Sequence, residues 1–224
     1  MFKKYGIKLP YRYFKEVHYF DISRGTNTHY WRIKDLEFDT KWTEARSDGV
    51  IYMASWTNEI KKSLNILFKF LGNKFVSFQF IDAGCGKGKP IFIYNEFIKK
   101  KRISKTYSSI GIDYSLSNIN IAKDNLIKIF DKEDISQDLK TEFIYSEISD
   151  FEKYISSKKL IIYMYNPFNG NTLKNFINKL SNYKCYIIYN NPKNLDFFLE
   201  KDFKLVYEFY GWHDNCSTVI LSNQ

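Results

Sequence analysis

The sequence predicts an α/β fold in which a mostly parallel sheet is covered by helices on both faces. Two observations lead to this prediction. From residue 55 onward, short apolar runs alternate with helical apolar spacing, and the last two runs lie too close together for a helix between them. Alternating strands and helices form crossovers and therefore a parallel sheet, whereas the final pair must form an antiparallel hairpin. A length of 224 residues is compatible with one domain.

Apolar spacing and glycine define the first elements of this pattern. Ser55 is expected to cap a helix whose apolar residues recur every three or four positions, and Gly72 is expected to end it. An apolar run over 75–81 then predicts the first strand, which ends in Asp82. Pro90 is expected to open the next helix, because proline lacks an N–H that would be unpaired there anyway.

The alternation continues to the end of the chain. Further strands are predicted over 108–113, 142–145, 160–165, 185–189, 204–210 and 217–221, and further helices over 116–130, 150–157, 172–180 and 195–201. Together with the first strand, these runs predict a sheet of seven strands.

The N-terminal part differs in composition from the rest. The formal net charge is +9, and residues 1–34 hold eight Lys or Arg side chains against two acids. This aromatic, basic and poorly periodic stretch predicts an extension over 1–54 that packs on, or arches over, a core domain over 55–224. Lys, Asn, Ile, Phe and Tyr are abundant throughout the chain, so the basic charge by itself is weak evidence for a nucleic-acid partner.

Composition also argues against several classes of protein. No apolar stretch approaches the ~20 residues that a membrane-spanning helix needs, and the first residues turn basic before any signal-like apolar run. Cys85, Cys185 and Cys216 show no paired spacing, so they indicate neither a disulfide framework nor a metal site. We therefore expect a reduced, cytoplasmic protein without a metal ion.

Residues 80–89, FIDAGCGKGK, carry the sharpest local signal. A strand ends in Asp82, and Gly84, Gly86 and Gly88 then lead into a helix. Glycine permits positive φ and lets a ligand approach the backbone, and a helix N-terminus attracts negative groups. The pattern predicts a ligand site at the carboxyl end of the first strand.

Two phosphate-binding motifs fail on spacing. A P-loop requires glycine where Ala83 stands and Ser or Thr where Pro90 stands. A dinucleotide-binding fingerprint requires two residues between its second and third glycines, and only Lys87 separates Gly86 from Gly88. A glycine turn without a ligand is the simplest alternative.

The tighter pattern over 82–88, DAGCGKG, resembles the first motif of the class I, Rossmann-like, S-adenosylmethionine-dependent methyltransferases. The resemblance extends over about residues 50–222, and the GCGKGK and YNPF sequences resemble those of a little-characterised bacterial branch. It implies a doubly wound, mostly parallel, seven-stranded sheet with an antiparallel C-terminal strand. It also implies S-adenosyl-L-methionine as the cofactor.

The resemblance assigns a role to each strand end. It implies that Asp82 and the glycine loop hold the methionine end of the cofactor, that Asp113 accepts both ribose hydroxyls, and that Glu147 accepts the adenine amine beside Ile148. Each of these acids has a simpler interpretation as a turn or surface residue. The candidate cofactor-binding residues are Asp82, Gly84, Cys85, Gly86, Gly88, Asp113, Tyr114, Glu147 and Ile148.

The candidate catalytic residues are Asn166, Pro167 and Phe168, which resemble the family motif that faces the reactive methyl group. Family members that methylate amino groups of nucleic acids have a second proline here, and its absence disfavours methylation of adenine or cytosine. An amide oxygen and a backbone carbonyl can hold the protons of an attacking amine, so a nitrogen acceptor is slightly preferred over oxygen. Tyr52, facing the cofactor or substrate, and His213, as a base, are further candidates.

The expected function is methyl transfer to an acceptor that the sequence does not identify: a protein side chain, a small metabolite or a glycan precursor. Methylation of RNA or DNA is an alternative, because the aromatic and basic N-terminus can stack on bases and follow a phosphate backbone. No dedicated nucleic-acid-binding motif is recognisable, however. A non-catalytic module that binds an acidic partner through its basic surface is a second alternative.

Overall fold

The computed structural model describes residues 6, 8–29, 43–50, 52–103, 108–133 and 140–224. Its strands are Gln79–Ala83 (β1), Ser109–Asp113 (β2), Thr141–Tyr145 (β3), Lys159–Tyr165 (β4), Lys184–Asn190 (β5), Lys204–Phe209 (β6) and Thr218–Ser222 (β7). They form one seven-stranded sheet in the order β3-β2-β1-β4-β5-β7-β6. Strands β1 to β5 pair in parallel, and β7 runs antiparallel to both β5 and β6. The predicted fold class, with its antiparallel final hairpin, is confirmed.

The helices surround this sheet. They are Leu9–Tyr13 (α1), Tyr19–Arg24 (α2), Thr43–Asp48 (α3), Thr57–Leu71 (α4), Lys89–Lys100 (α5), Leu116–Glu133 (α6), Gly170–Leu180 (α7) and Leu195–Leu199 (α8). A π-helical turn, Phe14–His18, joins α1 to α2, and 3-10 helices cover Gly72–Ser77, Ile148–Lys153 and Asp214–Cys216. As predicted, Gly72 follows the last residue of α4 and Pro90 stands in the first turn of α5.

Apolar side chains cover both faces of the sheet. On one face, α4, α5 and α6 contribute Leu64, Ile91 and Ile119 to a single buried cluster. On the opposite face, α7 and α8 contribute Phe176 and Phe198 to a second cluster. Burial of each large apolar side chain stabilises the fold by roughly 1.5–3 kcal/mol, so these two layers fix the sheet and the loops at its edge.

The apolar run over 75–81 is not one strand. Its first half belongs to the 3-10 helix Gly72–Ser77, and β1 begins only at Gln79. Phe75 is fully buried in the helical layer, and the N–H of Phe78 donates to its carbonyl oxygen at 3.2 Å. Apolar composition alone did not distinguish a buried helical turn from a buried strand. Similarly, the helix predicted over 150–157 is a 3-10 helix that begins and ends earlier.

The prediction that Ser55 caps α4 was wrong. The helix begins at Thr57, and the side chain of the preceding Trp56 makes no capping hydrogen bond. Instead, Glu16 from the N-terminal segment supplies the cap. Its Oε2 accepts the N–H of Asn58 at 2.8 Å, and its carbonyl oxygen accepts the Thr57 hydroxyl at 2.9 Å. A carboxylate at this position satisfies a helix-terminal N–H and interacts favourably with the helix dipole.

The N-terminal segment 8–29 packs on the domain close to the glycine loop. Arg24 forms an ion pair with Glu96 of α5, and the N–H of Asn27 donates to Asn125 Oδ1 of α6 at 2.8 Å. The boundary at residue 54 stays a prediction. Much of the basic stretch lies outside the described residues, namely 1–5, 7, 30–42 and 51.

Within the described ranges, no helix is both long and apolar enough to cross a bilayer. The same part of the chain contains no group of three or more His, Cys, Asp or Glu side chains placed to hold a metal ion. Cys85, Cys185 and Cys216 are free and buried.

Candidate functional site

A cleft opens at the carboxyl ends of β1 to β4, the edge at which parallel α/β sheets bind ligands. It encloses about 1090 Å³ of space, including its open mouth. Ten of the candidate site residues line it: Asp82, Gly84, Cys85, Asp113, Tyr114, Glu147, Ile148, Asn166, Pro167 and Phe168.

The glycine loop between β1 and α5 is held by its own hydrogen bonds. The N–H groups of Gly84 and Cys85 both donate to one carbonyl oxygen of β2, at 2.9 and 3.0 Å, and that of Gly88 donates to Cys85 at 2.9 Å. The N–H of Gly86 donates to Asp113 Oδ2 at 2.8 Å. A phosphate-binding loop presents such N–H groups to its ligand. Here they are already bonded within the chain, so they are not available to a phosphate.

Gly86 and Gly88 are not among the residues that line the cleft; they lie behind it. A Cβ on Gly86 would overlap the ring of Tyr52, and one on Gly88 would approach the Phe143 ring to 2.7 Å. Both glycines have positive φ, +50° and +88°. They are required because neighbouring rings pack directly on the loop backbone.

Cys85 contributes bulk rather than reactivity to the loop. Its thiol is buried, and burial, followed by the nearby Asp113 and Asp82 carboxylates, raises the pKa of the thiol well above its usual value. A thiol held in the neutral form is a poor nucleophile.

Asp113, at the end of β2, is oriented by two backbone donors. Gly86 N–H bonds to Oδ2 and Ser115 N–H bonds to Oδ1, both at 2.8 Å. Burial raises the pKa of Asp113 to about 6, although these hydrogen bonds oppose the shift. The Asn118 side chain also donates to this carboxylate. A carboxylate offers about four acceptor sites, so ligand hydroxyls can be accepted at the sites that these three donors leave.

Asp82 is the most deeply buried acid of the cleft, with only 1% of its surface exposed. Burial, and secondly the Asp113 carboxylate, raise the pKa of Asp82 well above its usual value. Its Oδ2 has no hydrogen-bond partner within the part of the chain that the structure describes. An unpartnered buried oxygen of this kind is costly unless a ligand donates to it. A cationic donor group fits this position.

The far side of the cleft is formed by the ends of β2 and β3. Glu147, which is partly exposed, precedes the 3-10 helix that starts at the buried Ile148. Tyr114 follows Asp113, and burial raises its pKa to about 12. The N–H of Ser146 donates to the Asp113 carbonyl oxygen at 3.1 Å, so the two strand ends stay together.

Asn166 follows β4 in the left-handed region, with φ +42°, which asparagine tolerates better than most residues. Its Oδ1 accepts the Tyr189 hydroxyl at 3.0 Å. The Tyr189 oxygen in turn accepts the N–H groups of Lys193 and Asn194, both at 3.3 Å. The amide oxygen considered for holding an amine proton is thus already bonded to the protein.

The backbone of 48–50 is joined to the segment after β4. The N–H of Val50 donates to the Pro167 carbonyl oxygen at 2.9 Å, and Gly49 forms an isolated antiparallel bridge with Phe168. Pro167 and Phe168 therefore form a wall of the cleft that is braced from the N-terminal side.

Tyr52 and His213, the two further candidates, differ in position. Tyr52 lines the cleft, and its hydroxyl donates to the carbonyl oxygen of Thr28. His213 is not one of the cleft-lining residues, and its Nδ1 accepts the N–H of Asn215 at 3.1 Å.

Sequence reasoning also missed several residues that line the cleft, among them Val50, Met53, Ser55, Lys89, Tyr163, Tyr165 and Thr172. Lys89 is the most informative. It follows the glycine loop directly, and its Nζ donates to the Glu16 carbonyl oxygen at 2.8 Å. Burial lowers its pKa to about 8. Its place at the end of the GCGKGK run was the signal that could have found it.

Solved structures share this architecture. A provisionally assigned class I S-adenosylmethionine-dependent methyltransferase from Listeria monocytogenes matches with a TM-score of 0.53 and 13% identity, over 74% of this chain and 59% of that one. The methyltransferase domain of bacterial CtHen1 matches with a TM-score of 0.50 and 13% identity, over 74% and 99%. This chain has the class I S-adenosylmethionine-dependent methyltransferase fold.

A third structure with this fold is the glycopeptide N-methyltransferase MtfA in complex with sinefungin. It matches with a TM-score of 0.50 and 8% identity, over 74% of this chain and 85% of MtfA. Searches with the sequence find no matching family model and no matching curated protein. The match covers somewhat more than half of the Listeria protein. At these identities the likeness is one of fold, and it predicts no acceptor.

Proposed function

We propose that the chain transfers a methyl group from S-adenosyl-L-methionine to an acceptor molecule. The observation that supports this most is the pair of buried carboxylates, Asp82 and Asp113, beside a glycine loop whose N–H groups are already bonded. Two carboxylates disfavour a phosphate ligand. They suit a ligand that offers an ammonium group, two neighbouring hydroxyls and a positive charge, and S-adenosylmethionine carries all three.

Each strand end has a role in this proposal. Asp82 accepts the ammonium group of the methionine part, and Asp113 accepts both ribose hydroxyls. Glu147 accepts the adenine amine, and Ile148 and Tyr114 supply apolar contact beside the ring. Because Gly84 has no side chain, the loop backbone can approach the ligand. Because Gly86 has none, the Tyr52 ring can pack on the loop.

The cofactor supplies an electrophilic methyl group carried by a sulfonium. Its transfer is an in-line displacement, which depends on alignment of the reacting atoms more than on acid catalysis. In the proposal, Asn166, Pro167 and Phe168 border the acceptor, and Tyr52 closes the cleft over the glycine loop. The chain's contribution is to bind, to orient and to exclude water.

The acceptor atom is nitrogen or oxygen, on a protein side chain, a small metabolite or a glycan precursor. The preference for nitrogen depends on free acceptor oxygens at Asn166 and Pro167. Both oxygens already accept one hydrogen bond, from Tyr189 and Val50 respectively.

Titration calorimetry with S-adenosylhomocysteine tests the proposal. We expect binding by the unmodified chain and no binding of ATP. At 100 times its dissociation constant the ligand should stabilise the fold by about 2.7 kcal/mol. Asp113→Asn should weaken binding at least tenfold, whereas Asp124→Asn, at an exposed position on α6, should leave it unchanged. If the folded chain binds ATP but not S-adenosylhomocysteine, the proposed cofactor is wrong.

A further inference from the structure

We infer that Tyr189 orients Asn166 so that the acceptor is bound through an oxygen atom, and that the methyl group passes to an ionised carboxylate or phenolate. This inference rests on the proposed function and names the acceptor class for the same cleft. Tyr189 acts as a positioning residue, since it is fully buried and is not one of the residues that line the cleft.

The hydrogen-bonding capacity of Tyr189 fixes which way the Asn166 amide points. The phenol oxygen accepts two backbone N–H groups, those of Lys193 and Asn194. Backbone N–H groups can only donate, so both lone pairs of the phenol are used and its single proton is left to give. That proton goes to Asn166, 3.0 Å away. The receiving atom must be an acceptor, hence the amide oxygen and not the nitrogen.

The amide nitrogen is consequently the group that Asn166 offers to the cleft. Asn166 lines the cleft, and its Nδ2 donates to no residue in the described part of the chain. An amide nitrogen carries two donors and has no acceptor capacity. The polarity at this position is therefore the opposite of the one that holds the protons of an amine.

This polarity discriminates between the two kinds of nucleophile. A neutral amine has one lone pair, and a donor placed on it would occupy the pair needed for attack. An oxyanion has several lone pairs, so it can accept from Nδ2 with one and attack with another. The other oxygen considered for amine protons, the Pro167 carbonyl oxygen, already accepts Val50 N–H at 2.9 Å, so it keeps one lone pair and can accept only one such proton.

Methyl transfer to an oxyanion balances in bonds and charge without a proton acceptor, as a cleft with an amide donor at Asn166 requires. The oxyanion forms a bond to the methyl carbon as the bond from carbon to sulfur breaks, and the electron pair of that bond goes to sulfur. The positive sulfonium becomes a neutral thioether, and the acceptor becomes a neutral ester or ether. No proton is transferred in this step, so no side chain has to act as a general base on the acceptor. His213, the base suggested by the sequence, is not one of the cleft-lining residues.

Two matched fragments test the inference in the chain saturated with S-adenosylhomocysteine. Benzoate presents an oxyanion, and benzylamine, which is protonated at neutral pH, presents only N–H donors on a ring of similar size. Binding of each is measured by saturation-transfer NMR. We expect benzoate to bind and benzylamine to bind at least tenfold more weakly. Asn166→Asp keeps the shape but replaces the donor by an oxygen, so it should weaken benzoate at least tenfold and favour benzylamine. Asn175→Asp adds the same charge at an exposed position on α7 and should change neither.

Tyr189→Phe tests whether Tyr189 acts by orienting the Asn166 amide or only by supporting the fold. Without the phenol proton the amide is free to turn over, so the preference for benzoate should fall several-fold while S-adenosylhomocysteine affinity is retained. The inference is overturned if the loaded chain prefers benzylamine, binds neither fragment, or keeps its benzoate affinity in Asn166→Asp. It is also overturned if Tyr189→Phe leaves the preference intact. Failure to bind S-adenosylhomocysteine at all would instead contradict the proposed function.

Discussion

Gly84 and Pro167 lie against each other across the cleft, and a Cβ on Gly84 would overlap the Cβ of the proline. Gly84 also has φ +73°. The contact joins the loop after β1, which is proposed to hold the cofactor, to the segment after β4, which is proposed to border the acceptor. The two halves of the cleft are therefore set at a distance that tolerates only a hydrogen atom at position 84.

Gly84→Ala should be strongly destabilising for this reason. We expect a loss of about 2–4 kcal/mol in the free energy of unfolding, since overpacking adds to the cost of positive φ. S-adenosylhomocysteine affinity should fall at least tenfold. Gly6→Ala is the control, because Gly6 has the same φ of +73° but a Cβ there would meet nothing within 4 Å. Urea denaturation measures both variants, and equal losses would show that the contact with Pro167 is unimportant.

Cofactor affinity should depend on pH through Asp113. Its pKa is raised to about 6 by burial, and only the ionised carboxylate can accept both ribose hydroxyls. The contribution of Asp113 to the affinity for S-adenosylhomocysteine should therefore be constant above about pH 7 and fall up to tenfold per pH unit as the pH drops below 6. Calorimetry between pH 5 and 8 measures the slope.

Two variants assign that slope. Asp113→Asn should bind weakly at every pH and lose the part of the slope that Asp113 contributes, so any slope that remains belongs to Asp82, whose pKa is also raised by burial. Glu59→Gln should retain the dependence, because Glu59 also titrates in this range but is not one of the cleft-lining residues. If the pH dependence disappears in Glu59→Gln, it comes from Glu59 and not from Asp113, and the prediction is wrong.

Glu59 should lower the stability of the fold as the pH rises. Burial, and secondly repulsion from Glu16, raise its pKa from 4.5 to about 7, although Lys62 opposes the shift. Because the folded-state pKa lies above the unfolded-state value, the folded chain prefers the protonated acid. The contribution of Glu59 to stability is therefore greatest below pH 4.5 and is progressively lost as the pH rises through 7.

Urea denaturation at pH 5 and pH 8 checks this effect against Glu59→Gln. The variant should be more stable than the unmodified chain at pH 8, and the difference should shrink toward pH 5. Glu142→Gln, at an exposed position of β3, should follow the unmodified chain. If Glu59→Gln is less stable at pH 8, the carboxylate makes a favourable contact that outweighs its burial.

The strand ends were predictable from sequence because parallel strands bring their carboxyl ends to one edge of the sheet. Asp82, Asp113 and Asn166 each follow an apolar run, and that order alone brings them to one cleft. The supporting contacts carried no such signal. The hydroxyl that orients Asn166 comes from a residue 23 positions away, and the carboxylate that caps α4 comes from Glu16, 42 positions away. Contacts this distant in sequence leave no local pattern, so Ser55 was the nearer and mistaken choice.

The turn after α2 should control how the N-terminal segment covers the glycine loop. Asp21 Oδ1 accepts the hydroxyls of Thr26 and Thr28 at 2.7 and 2.8 Å and the N–H of Thr28 at 2.9 Å. Its Oδ2 accepts the N–H of His29 at 2.9 Å. The carbonyl oxygen of Thr28 then accepts the hydroxyl of Tyr52, whose ring lies on the loop.

Asp21→Ala should release this turn, with a loss of about 1–3 kcal/mol in stability because hydrogen bonds to a charged group are removed. Amide hydrogen exchange should increase over 26–29, and S-adenosylhomocysteine affinity should fall several-fold as Tyr52 loses its support. Asp21→Asn keeps Oδ1 as an acceptor but places donors against the His29 N–H, so its effects should be intermediate. Asp124→Ala, at an exposed position on α6, should have none of these effects. If exchange increases over 26–29 while cofactor affinity is unchanged, the segment covers the loop without contributing to the site.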